Sequence, residues 1–136
     1  SYLEIAEWIQ RHCMNVDENL TELFRRIVFN IAVSNCDDHL RNHGFIYSPK
    51  GWTLSPAYDL TPDPAGYGLK LNISETDNSL DFDLALSITP YLGIKKDKAM
   101  AIVEQIKSIV AEWRKVASRY GISNSEQDLV ENAFRY

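Results

Sequence analysis

Apolar residues recur at steps of three and four from Leu20 through Leu23, Phe24, Ile27, Val28 and Ile31 to Ala32. One face of this stretch is therefore continuously hydrophobic, which predicts a buried helix. Asp17, Glu18 and Glu22 fall near its start, where carboxylates favour the positive end of the helix dipole. Before it, Ser1 to Cys13 reads as a helix with Ser1 as N-cap and a looser apolar stripe, and Asn15 to Asn19 reads as a polar break interrupted by Val16. After it the periodicity stops at Ser34-Asn35, and Cys36 to Asn42 is almost wholly polar. Gly44 to Tyr47 and Trp52 to Leu54 flank Ser48-Pro49-Lys50-Gly51, the signature of a short hairpin. Pro56, Pro62, Pro64, Gly66 and Gly68 make Ser55 to Gly68 an ordered loop, and Leu69 to Ile73 suits one more short strand. Leu80 to Tyr91 fits a helix bent near Pro90. Ala99, Ile102, Val103, Ile106, Ile109, Val110, Trp113, Val116 and Tyr120 mark one long amphipathic helix, which Gly121 should end. Ser123 with Glu126 is a capping-box signature for a last short helix. The expected fold is mainly α with a small β-hairpin, in a single domain over residues 1–136.

Composition changes that picture in two respects. With 45% hydrophobic residues the chain can build a core, yet no apolar run approaches the roughly 18 residues of a membrane span. A net charge of -5 lacks the basic face that displaces counterions from nucleic acid, so DNA would be met only through a partner. Cys13 and Cys36 are too few for a disulfide framework, and no CxxC or His/Cys cluster offers zinc-ligand spacing. No targeting segment is visible, and Ser1 stands first in place of Met; a cytoplasmic domain cut from a longer protein is the expectation.

The chemistry-bearing segment is the polar run. Asp37 is followed five positions on by Asn42, and Asp59 comes after the hairpin. Kinase-type phosphotransfer uses an Asp, an Asn five residues later and a further Asp. One carboxylate orients and deprotonates the attacking hydroxyl, while an amide oxygen and a second carboxylate hold Mg²⁺, which favours hard oxygen ligands. By spacing alone the same residues are equally at home in a solvated loop, where Asp37, Asp38 and Asn42 cap turns. A Mg²⁺-dependent nuclease would also use clustered carboxylates, but the chain has no basic stripe for its substrate.

Longer motifs separate these accounts. Asn35-Cys36-Asp37-Asp38-His39-Leu40-Arg41-Asn42-His43-Gly44-Phe45 resembles the signature of HipA-like kinases, and Trp52-Thr53-Leu54-Ser55-Pro56-Ala57-Tyr58-Asp59-Leu60-Thr61-Pro62 resembles that family's second motif. Leu23 to Asn30 also fits, and the likeness weakens beyond residue 62. It implies the helical C-terminal lobe of a protein-kinase-like fold, in a serine/threonine kinase that is the toxin of a toxin–antitoxin system. The implied roles are Asp37 as catalytic base, Asn42 and Asp59 as Mg²⁺ ligands, and His39 as a support for the loop near the cofactor. ATP and Mg²⁺ are the implied cofactors; a HipB-like antitoxin and a protein substrate are the implied partners, with no membrane. Regulation of transcription through the DNA-binding antitoxin, without catalysis, is the alternative role. Asp38 is expected to be solvated or to order the loop, and His43 to sit at a strand edge. Cys36 stands where the family often has Thr. No G-x-G-x-x-G or P-loop sequence occurs, and Gly66-Tyr67-Gly68 follows the second motif, out of order for a phosphate loop and better suited to a turn. The nucleotide-binding N-terminal half is accordingly expected to lie elsewhere in a larger parent.

Overall fold

Ser1 caps helix α1 (Tyr2–His12), as the sequence predicts, and Glu4 completes a capping box with it. The computed structural model describes all 136 residues. Helix α2 (Val16–Ala32) begins earlier than its apolar stripe, because Asn15 alone, in a left-handed conformation, makes the turn between the helices. The expected break over Asn15 to Asn19 therefore shrinks to one residue. Asn19 is polar yet buried: its amide donates to the Met14 and Asn15 carbonyls, and its oxygen accepts from the Leu54 backbone at 2.7 Å. That side chain fastens the start of α2 to the hairpin formed by β1 (Phe45–Ser48) and β2 (Gly51–Leu54). The strands pair antiparallel in the register Phe45 with Leu54 through Ser48 with Gly51.

The C-terminal half is more broken than its periodicity suggests. Leu69, Leu71 and Ile73 alternate inward but form no strand, because Asn78, Asp77 and the Ser74 turn take the hydrogen bonds a neighbouring strand would need. Helix α3 (Phe82–Ser87) is shorter than Leu80 to Tyr91; Asp81 caps it, and tight turns through Thr89 and Gly93 replace the expected bend at Pro90. The single long helix is two, α4 (Lys96–Val110) and α5 (Trp113–Arg119). At Glu112 the backbone tightens to a three-residue turn, which redirects α5 so that Trp113 stacks on Phe134 at 4.1 Å between ring centroids. Gly121, left-handed, ends α5 with bonds from its own N–H to Ser118 and from Ile122 to Ala117, and the Ser123–Glu126 capping box opens α6 (Asn124–Val130).

Helix α2 is the centre of the core, packed against α1, α3 and α4. Leu23, Phe24, Ile27, Val28 and Ile31 are fully buried, each worth roughly 1.5–3 kcal/mol relative to exposure. The architecture is mainly helical with one two-stranded hairpin, and no helix is long and apolar enough to cross a membrane. The consequence for function is that the polar run leaves the end of the most firmly held element.

Candidate active site

Helix α2 stops at Ala32, and Ser34, buried and left-handed, reverses the chain. The C-terminal tail pins this reversal: Arg135 donates from its backbone to the Ala32 carbonyl and from its side chain to Ser34 Oγ at 3.0 Å. Asn35 then turns inward and donates to Asn30 Oδ1 on α2 at 3.0 Å. Its amide also lies 3.5 Å from the carbonyl of Asp59. The polar run is thus bracketed from its first residue.

Asp38 is the anchor of the loop. It is 2% exposed, and its Oδ2 accepts from the Tyr2 hydroxyl at 2.5 Å, Asn30 Nδ2 at 2.7 Å and His43 Nε2 at 2.9 Å. Donors from α1, α2 and the strand approach therefore meet on one carboxylate, as a buried charged group requires. Burial, and then the neighbouring Asp38 charge, hold the Tyr2 phenol well above its ordinary value, so it stays a donor. Of the two expectations for Asp38, ordering of the loop is what the structure shows, and solvation is overturned. His43 is equally corrected: it is a buried partner of Asp38 rather than a simple strand-edge residue. His39, expected to support the loop, is only partly buried and faces Arg41 at 3.4 Å within the loop itself, while its Nδ1 has no partner. Asp38 and His43 hold the loop from its buried side.

With Asp38 anchored, its neighbour Asp37 is turned to solvent. A 3-10 turn over Leu40–Asn42 then carries Asn42 inward, where its Nδ2 donates to Asp59 Oδ2 at 3.0 Å. Asp59 arrives from the other side. Ser55 pairs with Gly44 beyond the end of β2, and the Ser55 carbonyl accepts from the buried guanidinium of Arg26, itself 3.1 Å from Glu22. Tyr58 donates its hydroxyl to the Arg41 carbonyl at 2.6 Å. Asp59 itself has a φ of +57°, a left-handed conformation that costs a non-glycine residue roughly 1–2 kcal/mol.

Asp37 and Asp59 line one cavity of about 290 Å³ with Asn35, Thr61, Pro62 and Asp63. Asn42 reaches the same place through its bond to Asp59. Nowhere do three or more His, Cys, Asp or Glu side chains converge closely enough to hold a metal ion alone. The oxygen donors on hand are the carboxylates of Asp37 and Asp59 and the amide oxygen of Asn42, which suit a hard ion that keeps much of its shell as water and phosphate. Mg²⁺ behaves in this way. The Gly66–Gly68 pair is occupied otherwise. A Cβ at Gly66 would stand 2.3 Å from Cys36 Sγ, so glycine is needed for the loop to lie on Cys36, and Gly68 bridges to Ser79. Burial pushes the Cys36 thiol up from its ordinary value, in keeping with a packing role.

Sequence reading missed the buried half of this site. Asn30, a polar residue beside the apolar stripe of α2, is the one local signal; Tyr2 and His43 join it only through the fold.

A family model described as the HipA-like C-terminal domain matches residues 1–113. A Haemophilus influenzae protein named "Putative kinase" is 42% identical over 60 residues, which are 43% of this chain and 18% of that protein. The family match takes in both motifs, the cavity they line and the helices that hold them, and it covers most of the chain, which therefore belongs to the HipA-like C-terminal domain family.

Proposed function

We propose that this chain is the catalytic lobe of an ATP-dependent serine/threonine protein kinase, acting as part of a longer toxin protein. The reading is carried by the meeting of Asn42 with Asp59 at 3.0 Å on a cavity that Asp37 also lines. Asp37 is the group that accepts the proton of an attacking hydroxyl, since a base must be open to its substrate. Asp38 cannot replace it, because its buried carboxylate is engaged by three donors. Asn42 and Asp59 would hold Mg²⁺, which when bound offsets the negative charge of the ATP phosphates.

In this reading the phosphate-covering loop and its lysine belong to another part of the parent. The HipB-like antitoxin and the protein substrate dock on that parent in the cytoplasm, and DNA is reached through the antitoxin. A purely regulatory module that binds the antitoxin would have no use for the paired Asn42 and Asp59.

The test is transfer of labelled γ-phosphate from ATP with Mg²⁺ to casein by the full-length parent. Asp37→Ala and Asp59→Asn variants with unchanged circular dichroism should lose about 100-fold or more in kcat. The 136-residue chain alone should transfer almost nothing. Retained turnover in folded Asp37→Ala rejects the base assignment, and parental rates from the chain alone reject the missing-half reading.

A further inference from the structure

Two loops bring the proposed metal ligands together, and each carries its ligand immediately after a residue of one hydrogen bond. Arg41 precedes Asn42, Tyr58 precedes Asp59, and the Tyr58 hydroxyl donates to the Arg41 carbonyl at 2.6 Å. We propose that Tyr58 is a positioning residue whose hydroxyl sets the separation of Asn42 and Asp59; the proposal rests on the metal-site reading above.

Three observations carry it. First, the tie is short and lies beside the Asn42–Asp59 contact of 3.0 Å, so the two bonds form adjacent rungs between the loops. Second, Asp59 is held at a φ of +57°, which a non-glycine residue keeps only where its surroundings fix it. The Asn35 amide at 3.5 Å is a long contact for the Asp59 backbone, which leaves the Tyr58 tie as the firmer constraint on its approach. Third, Tyr58 is 46% exposed and lies outside the core, so its role is separable from fold stability.

The hydroxyl acts on geometry alone: it touches neither metal nor substrate. Loss of one such bond should weaken ion binding by about threefold to tenfold, the usual net worth of a protein hydrogen bond.

The experiment compares the wild-type chain with Tyr58→Phe, and uses Tyr67→Phe as control because Tyr67 is 92% exposed. Mn²⁺ is titrated into isotope-labelled protein, and paramagnetic broadening at Asn42 and Asp59 gives its affinity. The three-bond HN–Hα coupling of Asp59 reports φ without any metal, and urea midpoints report stability. Expected in Tyr58→Phe are Mn²⁺ affinity weaker by threefold to tenfold, an averaged Asp59 coupling and an unchanged urea midpoint, with Tyr67→Phe like wild type. Unchanged affinity and coupling in Tyr58→Phe would overturn the positioning role while leaving the metal reading intact. Absence of localised broadening in the wild type would overturn the metal reading, and with it any role of Tyr58 in setting ligands, whatever the coupling shows.

Discussion

Residues 34–63 and residues 96–134 are held in place by different forces. In the first region, Asp38, Asn35, Asn42 and Tyr58 fix the loops through directed bonds of 2.5–3.0 Å. In the second, α4 and α5 present Val110, Trp113 and Ala117 to apolar neighbours, and Trp113 lies flat on Phe134. A groove of about 540 Å³, lined almost wholly by apolar side chains, runs between these helices and the end of α2. Pro62 lines both this groove and the polar cavity. The difference teaches where each kind of bonding is of use. Apolar contact is undirected and tolerates a helix break such as that at Glu112. A site that must present Asp37 while hiding Asp38 needs bonds with direction.

The largest effect expected from that difference separates two adjacent carboxylates. Asp38→Ala strands the Tyr2 hydroxyl, the Asn30 amide and the His43 N–H in the interior, and should cost about 3–5 kcal/mol of stability. Asp37→Asn alters an exposed side chain and should stay within about 0.5 kcal/mol. Urea unfolding of both variants checks this. Equal losses would mean that the loop is held as a diffuse whole and not through Asp38.

That pair also marks the limit of what the sequence made legible. The Ser1 cap, the Ser123–Glu126 capping box, helix α2 and the hairpin were readable, because a cap or a 3.6-residue stripe is a local pattern. The pair Asn42 and Asp59 was readable through motif spacing and resemblance. Asp37 and Asp38 are identical letters side by side, and the places the fold gives Tyr2, 36 residues away, Asn30 and His43 decide which is buried. The long C-terminal helix was misread for a related reason. Ile109, Val116 and Tyr120 keep the helical period but are exposed, and the break that exposes them depends on Phe134 receiving Trp113. Non-local partners leave no mark in periodicity.

A smaller effect tests the anchor from its other end. Tyr2 is fully buried, whereas Tyr47, Tyr58, Tyr67, Tyr91, Tyr120 and Tyr136 are exposed. Its raised folded value means that the neutral phenol stabilises the fold. That contribution is complete below about pH 10, the ordinary tyrosine value, and is lost as pH climbs from there towards the folded value. Tyr2→Phe should cost about 1.5–3 kcal/mol near neutrality, as a hydrogen bond to a charged group does. Between pH 10 and 11.5 the wild type should lose stability faster than the variant, so their melting temperatures converge. Parallel curves would show that the phenol does not sense its burial.

The smallest expected effect uses one motif that occurs in both halves of the chain. Ser123 and Ser1 each accept from the backbone N–H three residues on, and each receives the matching glutamate in return. Replacing either serine by alanine should cost about 1 kcal/mol, the usual worth of an N-cap. The reach of the two losses should differ. Helix α6 is seven residues long, with only Gln127 buried, so Ser123→Ala should speed amide exchange in α6 and stop there. Helix α1 begins with Tyr2, which holds Asp38, so Ser1→Ala should speed exchange at Asp38 and His43 as well. The Ser123 hydroxyl and backbone N–H hold Glu126 below the usual carboxylate range. The contribution of that carboxylate is therefore complete above the usual range and is lost as pH falls from there through the lowered folded value; Glu4, held low by the N-terminus and Ser1, follows the same course, so acid should weaken both caps together, whereas each serine variant weakens one. If fraying of α6 reached Asp38, or fraying of α1 did not, the division between a directed site and an undirected helical half would fail at its most sensitive point.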